Sequence, residues 1–498
     1  MSKIAIIGSG FSGISAAAYL SAKGNEVHVF EKNSTPGGRA RQFTTKNGYV
    51  FDMGPSWYWM PEVFEKFFND FEYSAADFYE LKLLDPAFDI VFGTNDIMKV
   101  PNDFSELCSL FESIEKGSAG RLKLFLKEAE FKYKTGMEDI VYKPGNSFTE
   151  FADFKLLSGI IRLQVFSSFS KHVRKYFSHP KLIALMEFPV LFLGATPADT
   201  PALYSLMNYA GLVLGTWYPQ GGFGKVISSM VTVAEKNGAT FHYNAPVEKI
   251  NIENNVAKSI VVNNKLIPFD AVIASADYHH VESKLLPQEY RNYNEEYWNK
   301  KTFAPSCLIF FVGIHKKLPA LNHHTLFFDE DLDQHSVEIY KNPQWPTKPL
   351  FYACCPSQSD ETVAPHGHEN LFLLMPIAPD LEDTEEIRDK YFTIIMERLE
   401  KKTGEDVRTY VDFKESYCIR NFIEDYNSYK GNAYGLANTL RQTAILKPKI
   451  KNKKIKNLFY TGQLTVPGPG VPPSIISGKI AAQQLMKSIK YVAHEVDF

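Results

Sequence analysis

Residues 3–31 read KIAIIGSGFSGISAAAYLSAKGNEVHVFE, and this stretch sets the fold class. Residues 3–7 are an apolar run, as in a strand buried on both faces of a parallel sheet. Gly8-Ser9-Gly10-Phe11-Ser12-Gly13 follows as G-x-G-x-x-G, residues 14–22 continue as a small-residue helix, and 27–30 form a second buried strand that ends in Glu31. Each part has a physical task. Gly8 permits the tight turn, Gly10 lets backbone approach a pyrophosphate, and Gly13 lets helix and strand pack closely. The helix start offers free N–H groups and the positive end of its dipole to phosphate. Glu31 accepts hydrogen bonds from the hydroxyls of an adenosine ribose and repels a 2′-phosphate, which leaves NAD or FAD. A glycine motif alone is weak, but between a strand and a helix, with an acid at the end of the next strand, it specifies a dinucleotide-binding βαβ unit.

The following segments choose between the two dinucleotides. TPGGRA (35–40) places two glycines and Arg39 where a pyrophosphate lies, and Arg39 can pair with it. FDMGPSWYW (51–59) contains a further close-approach turn, Gly54-Pro55-Ser56, flanked by Trp57 and Trp59. A flavin buried along its length needs such an extension, and a nicotinamide does not.

Composition narrows the partners. The chain has 498 residues, 45% hydrophobic and 22% charged, with a net charge of -3. That length suits two domains or one core with a second layer, and no basic field argues for nucleic acid. Cys108, Cys307, Cys354, Cys355 and Cys418 form no CxxC and no metal spacing, so they read as reduced, buried thiols of a cytoplasmic protein. The N-terminus breaks at glycines too early for a signal peptide, and no window reaches the ~18 apolar residues of a spanning helix. Residues 150–187 interleave six Lys/Arg with apolar residues. This pattern is expected to lie on a membrane surface. KPKIKNKKIKN (447–457) has six lysines and reads as a solvated loop before the last strand.

The ends and middle of the chain together resemble the bacterial phytoene desaturases of carotenoid biosynthesis, within the amine-oxidase-like flavoproteins. The resemblance rests on residues 8–40, on FDMGPSW, and on WYPQGGFGKVISSMVTVAEKNGATFHYNAPVEKI (217–250). It also rests on VAPHGHENLFLLMPIAP (363–379), GNAYGLANTLRQTAILKP (431–448) and NLFYTGQLTVPGPGVPPSIISG (457–478). It departs from the family at Gly462-Gln463, where many flavoproteins have Gly-Asp. Other departures are Val466 in place of a common histidine, and Pro469 and Pro473 in place of small residues.

The resemblance implies an α/β fold: a Rossmann-like FAD-binding domain with a mixed-sheet and helical substrate-binding domain. The first is discontinuous, over 1–100, 218–300 and 440–490, and the second spans 101–217 and 301–439. It implies that FAD is held by Gly8, Ser9, Gly10, Phe11, Ser12, Gly13, Glu31, Lys32, Gly38, Arg39, Gly54, Pro55, Ser56, Val247, Gly462, Val471 and Pro472. The elbow at 466–473 crosses the ring edge, and Pro472-Pro473 starts a helix at Ser474.

The implied reaction is FAD-dependent desaturation of phytoene toward lycopene. It takes a hydride from a CH2–CH2 unit and leaves an allylic cation that loses a proton. Quinone or oxygen reoxidises the flavin, and the protein works at the inner face of the membrane. The cation is expected to meet aromatic faces, with Trp57, Tyr58, Trp59 and Trp217 as candidates, although each taken singly reads first as core packing. The proton acceptor is open among Asp277, a carboxylate partner of Arg162 and a histidine. The pairs His279-His280 and His323-His324 give no metal set by spacing. A 1-hydroxycarotenoid 3,4-desaturase or another amine-oxidase-like flavoenzyme is the alternative within the class. A prenyl-lipid escort protein without flavin is the alternative outside it.

Overall fold

The structure, a computed structural model, describes residues 1–147, 150, 164, 167–439 and 442–496. Its base is an all-parallel sheet of five strands, in the order Leu458–Tyr460, Ala271–Ala274, Lys3–Ile7, Glu26–Phe30 and Ala239–His242. The apolar runs fold this way because helices cover both faces of a parallel sheet. Ile4, Ala5 and Ile6 are accordingly fully buried. At the end of the first strand the Gly8 N–H donates to Phe30 O at 2.8 Å, tying the glycine turn to the second strand.

The first helix, Phe11–Ser21, is clamped on two sides by backbone. A Cβ on Gly13 would sit 2.1 Å from Gly8 O, inside contact distance. On the other side the last helix, Val471–Val496, presses Gly478 onto it, so that a Cβ there would lie 2.3 Å from Ser12 O. Ser15 Oγ donates to Ile475 O at 2.7 Å across the same contact. The last helix begins at Val471 rather than at the expected Ser474. Pro472 and Pro473 fall inside its first turn, where a missing N–H costs nothing.

A seven-stranded mixed sheet forms the second layer, in the order Val411–Tyr417, Ser306–Ile314, Glu369–Ile377, Phe351–Cys354, His324–Phe327, Phe88–Gly93 and Asp96–Val100. Ser306–Ile314 is buried throughout and pairs antiparallel with Glu369–Ile377 from Ser306↔Ile377 to Ile314↔Glu369. The hairpin Phe88–Val100 departs from the expected boundary at 100. Its first strand runs parallel to His324–Phe327, and burial of Phe88, Ile90 and Val91 draws it into the larger sheet. A three-stranded antiparallel sheet, Val247–Glu253, Val256–Val262 and Lys265–Pro268, branches from the smaller one. Among the described residues of 104–216 helices dominate, including Phe104–Ile114 and Ser118–Thr135.

No described helix is long and apolar enough to cross a membrane. Of the stretch expected to lie on a membrane surface, residues 151–163 and 165–166, including Arg162, lie outside the described residues. Its described part buries Phe169, Val173, Leu182 and Leu185. The lysine-rich segment is not wholly solvated either: Lys447 is 2% exposed, because it folds beneath the elbow, whose Gly468 it approaches.

Candidate active site

A cavity of about 420 Å³ opens beyond the C-terminal ends of the first two strands, the position at which open α/β sheets bind ligands. Of the residues expected from sequence, Gly8, Ser9, Gly10, Phe11, Ser12, Glu31, Lys32, Gly38, Arg39, Gly54, Pro55, Val247, Gly462 and Val471 all line it. Three do not. Gly13 faces Gly8 across the helix–strand contact. Ser56 turns its hydroxyl to Tyr352 OH at 3.0 Å, because one step along an extended chain reverses a side chain. Pro472 lies between the lining residues Val471 and Ser474.

Glu31 anchors the loop. Its Oε2 accepts from the Ser9 N–H (2.9 Å) and Ser9 Oγ (2.8 Å), and its Oε1 accepts from the Asn33 N–H (2.9 Å) and Nδ2 (3.0 Å). The carboxylate therefore shapes the glycine turn as well as edging the cavity. Glu31→Ala is expected to weaken FAD binding ~10- to 100-fold, since it strands the buried Ser9 N–H and the part-buried Asn33 N–H along with the expected ligand contact, at about 1–3 kcal/mol. Flavin titration of the apoprotein measures this, and an unchanged Kd refutes the assignment.

Opposite the glycine turn, Arg39 Nη2 donates to Ser428 Oγ (3.0 Å) and Asn432 O (3.3 Å), and its guanidinium lies 5.1 Å from the centre of the Tyr426 ring. Burial pulls the Arg39 pKa down, and the nearby Asp277 partly offsets this. Burial likewise pushes the Asp277 carboxyl up, offset chiefly by Arg39. Arg39 Nε, Asp277 Oδ2 and Gln463 Nε2 are buried and have no hydrogen-bond partner among the described residues. All three residues border the cavity. Buried polar atoms without partners are rare, so these donors and this acceptor fit a long polar ligand such as a dinucleotide. At the helix start Ser474 N–H is spent on Gly470 O at 3.0 Å, and the two prolines have none, which leaves that of Val471 at the wall.

The roof and the far end of the cavity come from the second layer. Phe422, Asp425, Tyr426, Asn427 and Tyr434 roof it, while Cys307, Ile309 and Leu374 supply apolar surface from the larger sheet. Arg41 pairs with Asp425 across the boundary. The roof is not readable from sequence, because its helix, Ile419–Tyr426, has no glycine signature of its own. The motif GNAYGLANTL beyond it is the one available signal.

None of Trp57, Tyr58, Trp59 and Trp217 borders the cavity. Trp57 stacks on His324 with centroids 4.1 Å apart, and Tyr58 on Phe64 at 4.1 Å. Trp59 Nε1 donates to Thr216 Oγ1 (2.9 Å), and Trp217 Nε1 to Leu214 O (2.8 Å). These rings are core packing behind the site. His279 pairs with the side chain of Glu295 at 3.0 Å, and His280 borders the cavity.

A glycine turn at a strand end, an acid on the next strand, and a two-layer cavity with unpaired polar atoms together make a dinucleotide-binding site of the Rossmann type. The family of flavin containing amine oxidoreductases matches residues 11–486. Among curated proteins, the chain is 39% identical over 487 residues to a carotenoid 3,4-desaturase of Haloarcula japonica, covering 98% of each. It is 28% identical to a zeta-carotene-forming phytoene desaturase of Myxococcus xanthus, covering 97% of this chain and 94% of that one. It is 30% identical to a phytoene desaturase of Phycomyces blakesleeanus, covering 97% and 85%.

Solved structures share the fold. An oxidoreductase from Methanosarcina mazei aligns with a TM-score of 0.62 at 18% identity over 97% of this chain and 100% of that one. A putrescine oxidase bound to putrescine aligns with a TM-score of 0.61 at 12% identity over 98% and 99%. The chain belongs to the flavin containing amine oxidoreductases and, within them, to the carotenoid desaturases. It is an FAD-dependent oxidoreductase acting on CH–CH groups.

Proposed function

We propose that the chain desaturates the 3,4 bond of a carotenoid that carries a hydroxyl at C1. The observation that carries this reading is the 39% identity along the whole chain to a carotenoid 3,4-desaturase, against 28–30% for the phytoene desaturases. The phytoene reading ranks second on that ground. Bound FAD supplies the acceptor for the hydride. The loop at 8–13, Glu31 and Arg39 would hold the dinucleotide, and Gln463 and the Val471 N–H would offer it further donors from the wall beside the elbow. The apolar surface of Cys307, Ile309 and Leu374 excludes water from the hydrocarbon. A long hydrocarbon is delivered from a membrane surface, and quinone or oxygen completes the cycle.

A polar pair beside the elbow supports a hydroxylated substrate. Lys447 Nζ and Asn438 Oδ1 are buried without hydrogen-bond partners among the described residues. Both face Gly468: a Cβ built there would lie 3.2 Å from Nζ and 3.3 Å from Oδ1. Neither residue lines the cavity itself; a hydroxyl that reached the pair past the elbow would accept from the amine and donate to the amide oxygen.

The test supplies phytoene, lycopene and a 1-hydroxylated carotenoid in liposomes with a quinone, and the products are separated by chromatography. The hydroxylated substrate should gain one conjugated double bond. Coloured product from phytoene alone would replace this reading with the phytoene one. Asn438→Leu should lower turnover of the hydroxylated substrate ~10-fold or more, the usual loss when a buried polar partner is removed, with the flavin spectrum unchanged.

Lys447 also carries a pH signature. Burial pulls its amine down to about 7, whereas in the unfolded chain it titrates near ~10.4. Between these values the unfolded chain holds a proton that the folded chain lacks. Stability contributed by this site therefore rises with pH, by up to about 1.4 kcal/mol per unit, and is flat below about 7. Lys447→Met should remove that slope, which paired melting curves from pH 6 to 10 measure.

A further inference from the structure

Away from the cofactor cavity, three metal-ligating side chains meet in the larger sheet. His324 and Cys354 oppose one another across antiparallel strands, and His323 adjoins them. Their ligand atoms all lie within 4.8 Å of one another, and all three residues are buried. Chain spacing hides this set, because the cysteine arrives from the neighbouring strand.

The nitrogens are arranged for a ligand. Both ring nitrogens of His323 and Nε2 of His324 have no hydrogen-bond partner among the described residues. His324 Nδ1 lies 2.6 Å from Tyr352 OH, which in turn lies 3.0 Å from Ser56 Oγ. An imidazole with one nitrogen oriented by an outer partner and the other bare is the usual state of a metal-ligating histidine. Ring contacts hold both imidazoles: His324 stacks on Trp57, and His323 lies 4.6 Å from the Tyr218 ring at a tilt of 59°. His323, Cys354, Asp52 and Ser56 line a small cavity of about 20 Å³, room for about one water.

We propose that His323, His324 and Cys354 bind one transition-metal ion of the zinc class, with its fourth position open to that small cavity. Two imidazoles and one sulfur select such an ion over magnesium or calcium, which take oxygen. On binding, the Cys354 thiol loses its proton to solvent and coordinates as thiolate, with no redox change. The dication and the thiolate leave one positive charge, which the Asp52 carboxylate in the same cavity balances. Asp52 itself stays outside the ligand set. Its oxygens already accept from Phe223 N–H (2.7 Å), Gly224 N–H (3.1 Å) and Gln42 Nε2 (2.9 Å). The ion staples His324–Phe327 to Phe351–Cys354 and, through Tyr352 and Ser56, steadies the turn whose Gly54 and Pro55 border the flavin cavity.

The holoenzyme, stripped with a chelator and reloaded with Zn²⁺, is desalted and assayed for metal and flavin. About one zinc per chain is expected, falling at least ~10-fold in Cys354→Ser and in His323→Ala, with flavin content retained as the check on folding. X-ray absorption at the zinc edge of the wild type needs no variant, and should show one sulfur at ~2.3 Å and nitrogen at ~2.0 Å. No retained zinc in the reloaded wild type, or retained zinc with no sulfur neighbour, overturns the proposal.

Discussion

Gly10→Leu is expected to give a folded protein that purifies without colour. A Cβ at Gly10 meets no atom within 4 Å, and the residue borders the cavity, so a larger side chain extends into the cavity proposed for the dinucleotide without meeting its neighbours at Cβ. The melting temperature of the variant should match that of the flavin-free wild type to within ~3 °C, since surface-like changes stay within about ±0.5 kcal/mol. FAD affinity should fall at least ~100-fold, about 2.7 kcal/mol. Flavin absorbance after reconstitution reads the second quantity. A yellow Gly10→Leu protein would mean that the dinucleotide lies elsewhere. The neighbouring substitution Gly13→Ala fails differently, because its Cβ would sit 2.1 Å from Gly8 O and must move backbone before any ligand is involved.

Gly478→Leu is the second large effect, and its sign is diagnostic. Replacing glycine within a helix ordinarily stabilises, by close to 1 kcal/mol for alanine. Here the added Cβ would lie 2.3 Å from Ser12 O, 2.7 Å from Ser15 Cβ and 2.9 Å from Ala16 N. The last helix must lift off the first, and the cost is about 3 kcal/mol or more. Lifting it also withdraws Val471 and Ser474 from the cavity wall, so flavin should be lost in parallel with stability. Thermal unfolding and flavin content measured on one preparation check both. A variant as stable as wild type would show that the helix contact is looser than drawn.

The cofactor side of the molecule was legible because its rules are local. The strand, the turn at 8–13, the helix and Glu31 lie within one short segment, and each glycine has a steric reason. The last strand, Leu458–Tyr460, and the elbow could be read for the same reason. What could not be read depends on pairing between distant segments. Phe88–Val100 has the apolar pattern of a strand pair in either layer, and only its parallel partner, His324–Phe327, assigns it. The roof from Phe422 to Tyr434 carries ordinary helix and loop residues whose role comes from lying over Arg39. Trp57 and Trp59 look like ring-facing residues by proximity in sequence, yet distant partners hold them in the core, His324 stacked on Trp57 and Thr216 bonded to Trp59. Cys354 joins two histidines through strand register alone.

The scatter of the cavity wall along the chain has a consequence for synthesis. Its pieces come from near residues 8, 31, 54, 247, 277, 425 and 463, and it ends at Ser474. A ribosome delivers them in that order, so the first βαβ unit emerges long before its closing wall. FAD can be clasped only after Ser474 has emerged, and a flavin-free chain therefore precedes every loaded one. A chain that stops short of the last helix lacks both that wall and the Gly478 contact, and it stays colourless however much flavin the cell supplies.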